Sequence, residues 1–249
     1  MSTDLSLMRL LQIVSPALPI GAFAYSQGLE QTVSEGWVTS EAEARGWLLG
    51  LLESSFATLD LPVLARLMNA WRGVPTPLGS AQRSHRGRSQ EPFEGSCSID
   101  ALAVTRWSRW LLACRPTREL RAEDRQLGAS LARVLESLGI ADAAAWTRRA
   151  DVTHAAMFGL AAVRFDVPPG AALAGHAFAW AEAITAAAVR LVPLGQSAGQ
   201  RILAAAGAAI PAIAARALTL PDQELGAAAP GQAIASATHE GLYSRLFRS

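Results

Sequence analysis

Four histidines, two cysteines and one acid set in an apolar run are the side chains with the most chemistry to offer. A metal site on a helix wants ligands three or four residues apart, and His85, His154, His176 and His239 are nowhere that close together. No HExxH or HxH pairing occurs. His154 and His176 fall on apolar stretches, where a histidine satisfied inside a core or interface is the expectation, and His85 reads as a solvated loop residue. Cys97 and Cys114 are too few for a disulfide framework or a cysteine-rich zinc site. No metal site and no cofactor are expected. A serine nucleophile has no support either, because there is no GxSxG and no Ser, His and acid combination stands out. Glu182, within AWAEAIT, is either a buried protonatable acid or a boundary residue. The expectation is a protein without catalytic activity.

All 22 basic residues are arginine. Without lysine there is no P-loop GK[ST] site, no Schiff base and no kinase lysine, so any link to nucleotide hydrolysis must run through another protein. Charge is nearly balanced, 22 basic against 21 acidic side chains, which gives no field for nucleic acid or an anionic membrane. The amino-terminal stretch carries an early acid, and its apolar run is broken by Arg9 and Gln12, unlike a secretory signal. The apolar stretches 171–189 and 202–215 are interrupted by His176 and Glu182 and by Pro211, so no membrane span is expected. A cytoplasmic protein is the default.

The elements that would position these residues are helical. Fifty residues are alanine while valine and isoleucine together number 21, in a chain of 249 residues, and no stretch alternates as a strand would. The class is all-α, with about nine or ten helices in one domain over 1–249. An elbow, SPALPIGAFAYSQGLE (15–30), leads into a helix from about Ala24 to Glu35. Ser40 and Glu43 form a capping box, and Asp60 with Pro62 opens a further helix ending near Trp71. Residues 73–98 turn rich in Gly, Pro, Ser and Arg and read as a flexible loop interrupting the domain. Helices resume near 99–113. Thr117 caps a long helix with the stripe Leu120, Leu127, Leu131, Val134 and Leu138, stopped by Gly139. Helices over 153–165 and 171–190 come next. Pro211 divides the succeeding stretch into 196–209 and 213–218, and a second loop near 221–231 precedes a last helix or tail.

That tail carries Leu242, Tyr243, Leu246 and Phe247, an apolar stripe if helical, with Arg245 and Arg248 set off from it. Chain ends are normally frayed and polar unless tied down. Each large apolar group would lose about 1.5–3 kcal/mol by staying in water, so the tail should dock, on its own core or in a partner groove.

Five blocks, in order along the chain, resemble the UreF family of urease accessory proteins. They are SPALPIGAFAYSQGLE (15–30), TRELR (117–121), HAAMFG (154–159), AVRLVPLGQSAGQRIL (188–203) and HEGLYSRLFRS (239–249). The 73–98 segment departs from the family by its length and polarity. The resemblance implies an all-α homodimer without activity of its own that serves nickel insertion into urease. It further implies two partners, a UreD- or UreH-type accessory protein and the UreG GTPase, with apo-urease reached through their complex. A tail ordered by the UreD-type partner would then use Arg245 to recruit or regulate the GTPase.

Partner contacts are expected from His239, Glu240, Tyr243, Ser244, Arg245, Leu246, Phe247 and Arg248, with burial of Tyr243, Leu246 and Phe247 fixing the Arg245 fork. Pro19, Gly21, Ser26, Gly28 and Glu30 read first as structural, the glycines permitting close approach and Ser26 or Glu30 satisfying helix ends. Gly195, Gln196, Gly199 and Gln200 are either a capping turn or an interface, with a polar route for metal as a further option. Two other readings remain open from composition and spacing alone: an unrelated helical scaffold or regulator, and a helical hydrolase or transferase using Glu182 or His154.

Overall fold

The computed structural model describes residues 3–74, 99–226 and 229–249, and among these there are helices and turns but no strand. The longer helices are α1 (Thr3–Val14), α2 (Leu29–Ser34), α3 (Glu41–Trp71), α4 (Ala101–Cys114), α5 (Arg118–Ser137), α6 (His154–Arg164), α7 (Pro169–Leu191), α8 (Gln196–Thr219) and α9 (Pro230–His239). The flexible-loop expectation for 73–98 falls almost wholly, with His85 and Cys97, outside the described residues.

Helix α6 is the axis of the bundle. Every residue from Ala155 to Ala162 is buried, which small side chains allow on all sides of a helix at once. The second half of α3, α5 and α7 pack around it, and α8 lies along α7. The caps expected at Ser40 and Thr117 form, and Thr153 and Asp100 add two more. Thr153 accepts from the Ala156 amide, Thr117 from Leu120, Ser40 from Glu43 and Asp100 from Ala103. Gly139 at φ 84° closes α5 in a left-handed turn that residues with a Cβ rarely adopt. The α5 stripe drifts near its end, so that Leu135 is buried whereas Leu138 is exposed.

Several boundaries differ from expectation. Asp60 does not cap a new helix, because α3 runs unbroken from Glu41 to Trp71 through wider turns over Leu52–Asp60, where the Leu61 amide reaches back to Phe56. Pro62 is tolerated because the Thr58 carbonyl, which it cannot serve, accepts from the Gly226 amide at 3.0 Å. Pro211 likewise fails to divide α8. It sits on the exposed face, while Ile210, Ile213, Ala214 and Ala217 are buried on the other, and that packing offsets its cost of about 3 kcal/mol. In the elbow, residues 22–24 make one tight turn and α2 begins only at Leu29, since Gln27 and Gly28 both adopt positive φ.

These continuities bear on the membrane expectation. Three helices, α3, α7 and α8, are long and apolar enough to cross a bilayer by length and composition alone, the interruptions in α7 and α8 notwithstanding. In this fold they pack on one another, and α3 carries Asp60 buried in an ion pair at its centre.

Candidate functional site

The last ten residues leave α9 in a turn and then run irregularly, not as a helix. The reason is that their amides are taken elsewhere. The Glu30 carboxylate on α2 accepts the Leu246 amide at 2.6 Å and the Phe247 amide at 3.0 Å, so neither can serve a helical carbonyl. The Arg248 amide donates to the Ala24 carbonyl at 2.9 Å. Ser26, fully buried, donates from its amide at 2.9 Å and from its hydroxyl at 2.5 Å to the Ser249 carbonyl. The Ser249 hydroxyl in turn donates to Glu123 at 2.7 Å. The elbow block and the terminal block thus meet across more than 200 residues, and Ser26 and Glu30 hold the tail rather than only a helix end.

His239, at the end of α9 and fully buried, locks the base of this clamp. Its Nε2 lies 3.0 Å from Glu30 and its Nδ1 2.8 Å from Glu119 on α5. Glu119 also accepts from Arg245 at 2.6 Å, and the Arg245 guanidinium donates again to the Glu240 carbonyl. Gly28 at φ 86° makes the seat possible, since a Cβ there would stand 3.0 Å from the Ser236 amide on α9.

The expected apolar stripe is therefore split. Phe247 is buried and joins the main core, whereas Leu246 is 65% exposed and Tyr243 stands fully in solvent. Ser244 and Arg248 are exposed, Leu242 and Glu240 partly so. Arg245 is fixed, but by Glu119 and Glu240 and not by burial of Tyr243 and Leu246. Pro19 and Gly21 are exposed. Gly199 is buried with a Cβ position 3.0 Å from Val189, so it admits α8 against α7, while Gly195, Gln196 and Gln200 are exposed.

Behind the clamp lies an interior cavity of about 270 Å³. Arg115 lines it, bonded to Asp60 at 2.6 Å and Asp124 at 2.9 Å. Burial pushes the Asp60 carboxyl up against the pull of Arg115. Burial also raises Glu123 to about 7, although Gln27 and Ser249 donate to it. His154 and His176 face each other with ring centroids 5.0 Å apart. Desolvation holds His154 down to about 4 and His176 well below its ordinary range, so both are neutral at neutral pH. They are core residues as expected but not satisfied ones, for His154 Nε2 and His176 Nδ1 have no hydrogen-bond partner among the described residues. Glu182 sits at the cavity margin, half-buried, with its carboxyl raised by desolvation. None of Gly195, Gln196, Gly199 and Gln200 lines this cavity. Among the described residues no group of three or more His, Cys, Asp or Glu is placed to hold a metal ion.

Glu119, Glu123, Asp124 and Arg115 do not stand out in the sequence. A signal exists for the first two: they are four residues apart, on one face of the helix that Thr117 begins.

A family profile for UreF matches residues 38–207. The chain is 41% identical over 253 residues to the urease accessory protein UreF of Alkalilimnicola ehrlichii, the alignment covering 100% of both. It is 41% identical over 249 residues to the protein of the same name from Pseudomonas putida strain KT2440, again covering 100% of both. To that of Azoarcus sp. strain BH72 it is 43% identical over 250 residues, 98% of this chain and 96% of the other.

Proposed function

The chain belongs to the UreF family of urease accessory proteins, acting in urease maturation and not as an enzyme, and from that premise we propose how it does so. It is a cytoplasmic, homodimeric scaffold whose terminal segment, 239–249, joins a UreD/UreH-type protein and recruits or regulates the UreG GTPase. Apo-urease is reached through that complex. One observation carries the reading: the tail is clamped by its backbone and by Phe247, while Tyr243 and Leu246 are exposed. A segment held this way keeps its fold and leaves an aromatic and an aliphatic anchor for another surface. The cost of ordering the tail is met before the partner arrives, which raises affinity.

Arg245 can serve the GTPase in two ways, by touching it or by fixing the tail against Glu119. Arg245→Ala and Glu119→Gln separate them in pull-downs of both partners. Direct contact predicts that Arg245→Ala loses the GTPase while Glu119→Gln keeps it. Tail fixing predicts that both lose it. Undiminished GTPase recovery with Arg245→Ala would overturn either role.

A further inference from the structure

Arginine side chains converge on a shallow surface cleft between the end of α4, the first half of α5 and the turn before α6. Arg109, Arg121, Arg125 and Arg149 line it, with Leu112 among its apolar residues and Asp151 as its one acid. We propose that this cleft is a docking site for an acidic segment of a protein partner, separate from the tail.

Asp151 shows what the cleft recognises. Its carboxylate accepts from Arg149 at 2.8 and 3.0 Å and from Arg109 at 2.8 Å. Arg149, then Arg109, hold that carboxyl down to about 2. One internal carboxylate thus already occupies one end, gripped by two guanidiniums in the forked geometry that suits them. Among the described residues no comparable carboxylate is bonded at the other end. Arg121 spends one nitrogen on the Arg115 carbonyl at 2.7 Å, and Arg125 is exposed. In a chain whose charges otherwise nearly cancel, four cations around one acid is a local excess. Like charges held together repel one another until an anion joins them.

The stripe continues beyond the cleft. Arg118, Arg121 and Arg125 stand at i, i+3 and i+7 on one face of α5, and Arg118 pairs with Glu240 at the root of the tail at 3.4 Å. Carboxylates suit the site better than phosphates. Asp151 already shows a carboxylate held there by two guanidiniums, and an apolar residue such as Leu112 suits the methylene stems of glutamate.

The test is fluorescence anisotropy with the full chain, a labelled oligoglutamate peptide and an oligothymidylate of equal length. Oligoglutamate should bind with an affinity that falls as salt rises. Arg125→Glu, which disturbs no tail contact, should weaken it about tenfold, and Asp151→Asn should strengthen it several-fold by removing the competing carboxylate. A merely structural role for these residues gives no gain in Asp151→Asn. Equal binding by wild type and Arg125→Glu, no gain in Asp151→Asn, or tighter binding of oligothymidylate would each overturn the proposal. Because the tail is intact in both variants, failure here leaves the tail's role standing.

Discussion

Two polar clusters hold this protein together, and they are built differently. In the interior, Arg115 ties Asp60 on α3 to Asp124 on α5, side chain to side chain, between helices that the apolar core already fixes. At the clamp, Glu30 takes two backbone amides and His239, and it holds a segment with a single large apolar residue, Phe247, in the core. The first cluster cannot open without the fold. The second can, since what it ties down is short and mostly exposed, and local opening energies scale with the amount of burial lost.

Substitutions should separate the two clusters. Arg115→Ala leaves two buried carboxylates unpaired and should cost about 3–5 kcal/mol of global stability, read as a lower denaturation midpoint with unchanged slope. Glu30→Gln removes the charged acceptor of two amides. Hydrogen exchange at Leu246 and Phe247 should quicken by roughly a hundredfold, about 2–3 kcal/mol of local opening, while the midpoint of helix melting moves little. A fall in global stability matching that of Arg115→Ala would erase the contrast.

Glu123 lies between the clusters and gives a pH signature. Its carboxyl is raised from 4.5 to about 7 in the folded state, so its contribution is present below pH 4.5 and is lost as pH rises toward 7. His154, lowered from 6.5 to about 4, acts in the opposite sense, contributing above pH 6.5 and losing that as pH falls. Glu123→Gln removes only the first. Its stability relative to wild type should therefore improve from pH 4.5 to 7, by up to about 3 kcal/mol. A pH-independent difference between the two proteins would refute that assignment.

The helices and their caps are legible in the sequence because they are local: Thr117, Thr153 and Ser40 each accept from an amide three residues further on. Departures from the sequence pattern are of two kinds. Proline at 62 and 211 suggests breaks that tertiary partners remove, the Gly226 amide in one case and packing on α7 in the other. Asp60 has the look of a cap but is claimed by an arginine 55 positions away. Spacing alone leaves a helical tail open, because nothing local reveals that Glu30 will take its amides from 216 residues upstream. The motif residues Ser26 and Glu30 are legible as important, and their shared purpose is not.

On the proposed function, the clamped tail offers Tyr243 and Leu246 to a UreD/UreH-type protein. Titrating that partner with wild type and with the double variant Tyr243→Ala, Leu246→Ala tests it most directly. Both side chains are exposed, so circular dichroism and melting should be unchanged while affinity falls at least about tenfold. Equal affinity for the two proteins would contradict the account.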